Sequence, residues 1–398
     1  MQKDQERYEV QRVALDAQAL MARACAEAGL DDYGDDAFVA PLCSLLDDAA
    51  READFHPAGL ASFQADVVRC LVNRLRMTAD LRAHPEIEDE DVSDPIIVIG
   101  LPRSGTTKTQ RMLSAAPDVQ KLYLWRIVNP ARFPGADGSR PAPRIAAASM
   151  GPNSDDKPEL RSAHLMTAQQ PEEDWALFDA TFNDWVWCVL YAPLDTFYDR
   201  VSQRPALDNY RYVRRVLQYL QWQDGGGRNR PWILKGIGHI ANLDALLACY
   251  PKATLVHIHR EPRDAMPSVA KLATHLWSMK VNRPDPCRVG ALQLKWYGEA
   301  MRRYLETRHR LNLDERILDV PYAAMRDDPM PAMREIYRRA GRMLSPTAEQ
   351  AMLQWHLDNE QHQHGRHEYS LEEFGLNGPD IDQTFAAYRQ KFGHLFKG

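Results

Sequence analysis

Residues Pro95-Ile96-Ile97-Val98-Ile99-Gly100 form an unbroken apolar run that ends on a glycine. A strand with one wet face alternates polar and apolar side chains. A run with no polar position fits a strand covered on both faces, as in a parallel sheet. Parallel strands need long crossovers, usually helical, so this run constrains what must surround it. The chain supplies the rest. Trp232-Ile233-Leu234-Lys235, Thr254-Leu255-Val256-His257-Ile258-His259 and Arg316-Ile317-Leu318-Asp319-Val320 read as three further strands. Leu207, Tyr210, Val213, Val216, Leu217 and Leu220 recur at helical spacing, as do Leu292, Trp296, Ala300, Met301 and Tyr304. The expectation is an α/β fold with a P-loop-type parallel sheet flanked by helices.

Residues 1–94 have a different texture. Val10, Val13, Ala17, Leu20, Met21 and Ala24 share a helical period, as do Phe38, Leu42, Leu45 and Leu46, then Leu60, Phe63, Val67, Leu71 and Leu75. This predicts an all-helical N-terminal region, closed by the acidic connector Glu86 to Asp91, with residues 95–398 as the second unit. Two stretches read as loops, Asn129 to Pro158 and Gly225-Gly226-Gly227.

The first strand runs into Gly100-Leu101-Pro102-Arg103-Ser104-Gly105-Thr106-Thr107, with a helix expected through Met112 and Leu113. Strand, glycine-bounded loop and helix start together aim backbone N–H groups and a positive helix end at an anion. The frame is G-x-x-x-x-G, but Thr106 stands where a nucleotide-binding P-loop carries Lys, and the basic residue is Arg103. Lys235 and His259-Arg260 end the neighbouring strands, where a Mg²⁺-holding carboxylate would be sought. The loop therefore reads as a phosphate cradle that works without a metal. The histidines His356, His362, His364 and His367 lie in a polar segment and are not read as a metal site.

These motifs resemble the PAPS-dependent sulfotransferases (PAPS is 3′-phosphoadenosine-5′-phosphosulfate), most closely the bacterial branch with P-R-[ST]-G-T-T loops, related to the tyrosylprotein and cytosolic types. The resemblance runs from about Pro95 to Gly393. It implies that Arg103, Ser104, Gly105, Thr106 and Thr107 grip the 5′-phosphosulfate end, with Lys108 beside them. It implies that Arg260 and Ser268 bind the 3′-phosphate, that Tyr322 lies against the adenine, and that Gly365 and Arg366 fold over the 3′-phosphate. Leu234-Lys235-Gly236-Ile237-Gly238-His239 resembles the family's K-x-P-x-H segment, with Ile237 in place of Pro. Lys235 and Arg103 would then neutralise charge on the departing oxygen.

The general base has several candidates. The family often carries a Glu where this chain has Arg126, so His239, Glu172, Glu173 and His164 are the options, the last three in a segment that resembles the family's H…P-E-E-D stretch. Lys108 replaces the apolar or Trp residue usual after G-T-T. The implied activity is transfer of a sulfuryl group from PAPS, as co-substrate, to a hydroxyl of a small apolar or aromatic acceptor, leaving 3′,5′-ADP and needing no metal. An ATP-dependent small-molecule kinase and a non-catalytic nucleotide-binding protein are the alternatives.

The aromatic stretch Trp175, Phe178, Phe182, Trp185, Trp187, Tyr191, Phe197 and Tyr198 could wall an acceptor pocket or simply fill the core, and the N-terminal helices could lid that pocket. Six cysteines without C-x-x-C spacing read as reduced, buried thiols. The polar start and the lack of an ~18-residue apolar run predict a cytoplasmic protein without an integral membrane segment, and a homodimer is compatible with it. Net charge is −6, with 49 Lys+Arg against 55 Asp+Glu, which argues against nucleic acid as a partner. The acidity is local. Residues 31–94 hold 5 basic and 16 acidic side chains, so the rest carries 44 − 39 = +5, which suits a polyanionic co-substrate.

Overall fold

A computed structural model of the chain describes residues 2–135, 141–149, 167–227, 229–359 and 370–396. His164, Gly365 and Arg366 lie outside the described residues. Five parallel strands form one sheet in the order β2-β3-β1-β4-β5, with β1 at Ile96–Ile99, β2 at Gln120–Lys121, β3 at Trp232–Lys235, β4 at Thr254–His259 and β5 at Ile317–Pro321. Every β1 side chain is buried, as the unbroken apolar run requires; removing each from water contributes about 2 kcal/mol. Val98 pairs with Lys235 on one side and Val256 on the other, so β3 stops at that row while β1 runs one residue further to Ile99 and β4 continues to His259.

Numbering only the helices used below, α1 is Gln2–Ala14, α2 Ala17–Ala28, α3 Val39–Glu52, α4 Pro57–Ala83, α5 Thr106–Ala115, α6 Leu207–Gln223, α7 Pro262–Ser278 and α8 Pro286–Arg310. Each of α7 and α8 starts with Pro in its first turn after an acidic cap, Glu261 accepting from Arg263 N and Asp285 from Cys287 N. One apolar cluster runs from Leu42, Leu45 and Phe63 of the N-terminal helices to Ile97, Leu255 and Trp296. A second, made by Ile96, Val98, Val256 and Met112, fills the other face of the sheet.

The sequence-based expectations need three corrections here. The first helical stretch is two helices, because the Asp16 carboxylate caps α2 by accepting from Ala19 N at 2.8 Å. On the first of these, α1, Val10 and Val13 face solvent. The expected loop after Asn129 contains a helix at Pro141–Ser149, fastened by Arg144, whose buried guanidinium donates to the carbonyls of Asn129 and Pro130. Cys43 and Cys287 are exposed, so the free thiols are not uniformly buried. β2 was not expected at all: it is two residues long and polar. No described helix is long and apolar enough to cross a membrane.

Candidate active site

In a parallel sheet, ligands bind beyond the carboxyl ends of the strands. Four of the five strands here deliver a residue of interest to that edge: Gly100 after β1, Lys235 at the end of β3, Arg260 after β4 and Tyr322 after β5. The loop after β1 turns through two left-handed residues, Arg103 at φ 67° and Gly105 at φ 89°. A Cβ at Gly105 would approach the Tyr322 ring to 3.0 Å, so glycine is needed for space as well as for φ. A non-glycine residue at positive φ costs on the order of 1 kcal/mol or more and persists only when its surroundings fix it. Arg103 is fixed twice. Its Nε donates to Ser268 Oγ at 3.0 Å, and Arg260 Nη1 donates to its carbonyl at 2.5 Å.

The two phosphate-binding segments read from the sequence are therefore joined by hydrogen bonds across 157 and 165 residues of chain. The Arg260 guanidinium also lies 4.6 Å from the centre of the Tyr322 ring. Buried Ser104 donates to the Leu101 carbonyl at 2.6 Å and holds the loop from inside. The first N–H groups of α5, at Thr106 and beyond, have no carbonyl within the helix to meet, and they open on the same concavity. This cradle of positive-φ backbone, helix start and two arginines fits a phosphate- and sulfate-bearing co-substrate.

Lys235 sits where such a ligand would be handled. Its ammonium donates to Thr107 Oγ1 at 3.0 Å and forms an ion pair with Glu173. The Lys235 and Glu173 side chains are only 5% and 14% exposed. An unpaired charge this deep would be costly, so the pair explains how both are tolerated. Glu172, next to it, has other partners: it pairs with Arg111 at 3.2 Å and accepts from the backbone N–H of Glu173 at 3.0 Å.

His239 does not join this group. Its Nε2 meets Asp174 at 2.9 Å and its Nδ1 meets the Tyr210 hydroxyl at 2.8 Å, with the ring 2% exposed and packed against Phe178. β3 stops at Lys235, and the chain then turns into a short 3₁₀ helix at His239–Ala241, so the alternation along a strand does not carry past Gly236. Lys108 also faces elsewhere: its ammonium donates to the Arg326 carbonyl at 3.4 Å, and burial lowers its pKa below the ordinary lysine value. Arg126 is buried in a structural role, bound to Asp224 at 2.8 Å and to the Leu220 carbonyl at 2.7 Å beside the end of α6.

A cavity of about 480 Å³ opens from Arg103, Thr106, Thr107, Glu173 and Lys235 into the protein. That is the size range of small-molecule sites. Its walls are mainly apolar: Val269, Leu272, Ala273 and Leu276 from α7, Val68 and Val72 from α4, and Trp175, Leu190 and Tyr191 between. Arg23 and Glu27 of α2 also border it, so the N-terminal helices contribute to the wall. The aromatic stretch divides. Trp175 and Tyr191 face the cavity, whereas Phe182 and Trp187 are fully buried in the core.

Sequence reasoning missed Gln293 and Tyr297 on α8, which only the crossing of distant helices brings here.

Among the described residues, one cluster has metal-ligand geometry: His257, His259 and Asp319. Both Asp319 oxygens already accept from the Arg308 guanidinium at 2.7 Å, and that positive charge opposes a cation. None of the three lines the cavity.

A sulfotransferase-family model matches residues 95–346. The sulfotransferase STF9 from Mycobacterium avium is 28% identical, with a TM-score of 0.83 over 94% of this chain and 96% of that one. The sulfotransferase STF1 from Mycobacterium tuberculosis is also 28% identical, with a TM-score of 0.79 over 93% and 98%. No curated protein matches the chain. A family match across more than half the chain and two sulfotransferases that share the fold nearly end to end have one meaning: the chain belongs to the PAPS-dependent sulfotransferase family and is an enzyme of sulfuryl transfer.

Proposed function

We propose that the protein moves the sulfuryl group of PAPS to a hydroxyl of a small, largely apolar acceptor held in the 480 Å³ cavity. The observation that carries this reading is the Lys235–Glu173 pair, braced by Thr107, where the phosphate loop meets an apolar pocket. In this reading the backbone and hydroxyls of Ser104 to Thr107, with Arg103, hold the 5′-phosphosulfate. Arg260 and Ser268 hold the 3′-phosphate, and Tyr322 offers a face for the adenine. Residues 95–398 form the transferase body, and the helices of residues 1–94 complete the acceptor wall.

Glu173 takes the proton from the acceptor hydroxyl as its oxygen attacks sulfur. The bond from sulfur to the bridging phosphate oxygen breaks, and Lys235 neutralises the charge gathering on that oxygen. The products are the sulfate ester, 3′,5′-ADP and a proton passed through Glu173 to water. Positioning and charge stabilisation supply most of the rate, and a single donor to a developing oxyanion is worth about 3 kcal/mol. His239, locked between Asp174 and Tyr210, serves the fold beside this segment and takes no part in the transfer.

The test is calorimetric binding of 3′,5′-ADP together with turnover of PAPS in the presence of phenols, polycyclic alcohols and long-chain alcohols. Binding and acceptor-dependent release of 3′,5′-ADP are expected; absence of both would sink the proposal.

A further inference from the structure

Most polar groups that line the cavity already have partners. Lys280 donates to Ser62 Oγ at 2.8 Å and to Asp66 at 2.7 Å, Lys235 is engaged as described, and Asn73 donates to the Arg69 carbonyl at 2.9 Å. Gln293 differs. It lies in the cavity wall on α8 and is fully buried, yet neither its Nε2 nor its Oε1 has a hydrogen-bond partner. A buried amide with neither end satisfied is a cost to the fold, and Leu or Met would fill the same volume without it.

One turn along α8, Tyr297 also lines the cavity, with its ring edge-on to Trp185 at 5.4 Å. Burial pushes the Tyr297 phenol above its ordinary pKa, and the nearby charge of Glu173 adds to the effect. Gln293 and Tyr297, four residues apart on one face of α8, line the same cavity as Glu173 and Lys235.

We propose that Gln293 determines acceptor specificity by hydrogen-bonding a second, uncharged oxygen function, a hydroxyl or a carbonyl, on the molecule whose other hydroxyl is sulfated at Lys235 and Glu173. The inference rests on the sulfotransferase reading of the cavity. It narrows the acceptor from an apolar alcohol or phenol to an apolar molecule with two oxygen functions. An amide suits such a group because it can donate and accept without charge, so it recognises a hydroxyl or a carbonyl without requiring an ion in an apolar wall. A site with buried polar groups discriminates against analogues that lack the matching atom, because those groups then stay unpaired.

The experiment compares wild type and Gln293→Leu on matched pairs of aromatic or polycyclic alcohols, one member carrying an added hydroxyl or ketone. Wild type should prefer the doubly oxygenated member by about tenfold in kcat/KM, expressed mainly in KM, and the variant should lose that preference. Affinity for 3′,5′-ADP should be the same in both proteins. Without any acceptor, Gln293→Leu should resist urea at least as well as wild type. Binding of 3′,5′-ADP with an unchanged preference, or with none in wild type, would overturn this inference alone. A variant clearly less stable than wild type would also overturn it, because the amide would then serve the fold. Wild type that fails to bind 3′,5′-ADP would overturn the sulfotransferase reading and this inference with it.

Discussion

Glu173→Gln separates the two duties assigned to that carboxylate. In the ligand-free protein it balances the Lys235 ammonium, whose side chain is 5% exposed. Two unit charges about 4 Å apart attract by about 4 kcal/mol at an effective dielectric near 20. A neutral Gln still offers the ammonium an oxygen and is easier to bury, so the net loss of stability should be about 2 kcal/mol. During turnover, loss of the base should lower kcat by about 10²- to 10⁴-fold. Binding of 3′,5′-ADP should move the other way. The ligand's phosphates bring negative charge to Lys235, which in the variant no longer has a competing carboxylate. Affinity should hold or rise, and the ligand should raise the melting temperature more in the variant than in wild type. Calorimetry, a thermal melt with and without 3′,5′-ADP, and a single-turnover assay with PAPS read all three quantities. Turnover within threefold of wild type would refute Glu173 as the base. Loss of 3′,5′-ADP binding alongside turnover would show that Glu173 organises the loop instead.

Arg260→Ala should weaken 3′,5′-ADP binding at least tenfold and 5′-AMP binding far less, because the charge-assisted contacts assigned to it go to the 3′-phosphate; calorimetry with equal losses for both would contradict the assignment. His239→Asn should cost about 1–3 kcal/mol in urea denaturation, since it leaves Asp174 or Tyr210 without its buried partner. Its kcat per folded molecule should change little, and a fall of a hundredfold or more in a stably folded variant would make His239 the base. Burial pushes Asp179 up to about 7, against the opposing pull of Arg69 and the Tyr191 hydroxyl. The folded state then keeps a proton that the unfolded chain releases near pH 4, so this group's contribution to stability falls as pH rises from about 4 to about 7 and is level above that. Asp179→Asn lacks that slope. Its stability relative to wild type should improve by about 2 kcal/mol between pH 5 and pH 8 in urea melts, and an unchanged difference would contradict the assignment.

The sheet was legible where its physics leaves a local trace. β1, β3, β4 and β5 are short runs buried on one or both faces, and continuous apolar sequence signals that directly. β2 leaves no such trace, because Gln120 and Lys121 form a two-residue edge strand whose side chains bond elsewhere, Gln120 to Gln221 and Lys121 to the Ser114 carbonyl. The loop after β1 was legible because Gly105 and the helix start at Thr106 have fixed conformational requirements. Lys235 could be read from its place at a strand end, but its link to Glu173 spans 62 residues and leaves no mark in either segment. His239 could be read as a base candidate from the segment around Lys235, but its buried partners Asp174 and Tyr210 lie 65 and 29 residues away and leave no mark there. The cavity wall was the least legible part. Gln293 and Leu276 sit among helical stripes that read as core, and only the packing of α7 and α8 decides which of those residues face a ligand.

Sulfuryl transfer from PAPS through the Lys235–Glu173 pair is read by 3′,5′-ADP release from PAPS with an excess of a chelator and a panel of hydroxyl acceptors. Release should depend on the acceptor, match the sulfate ester formed, persist in chelator and be lost in Lys235→Ala. Release that matches no ester, or turnover of ATP that requires Mg²⁺ with PAPS left intact, would contradict that reading.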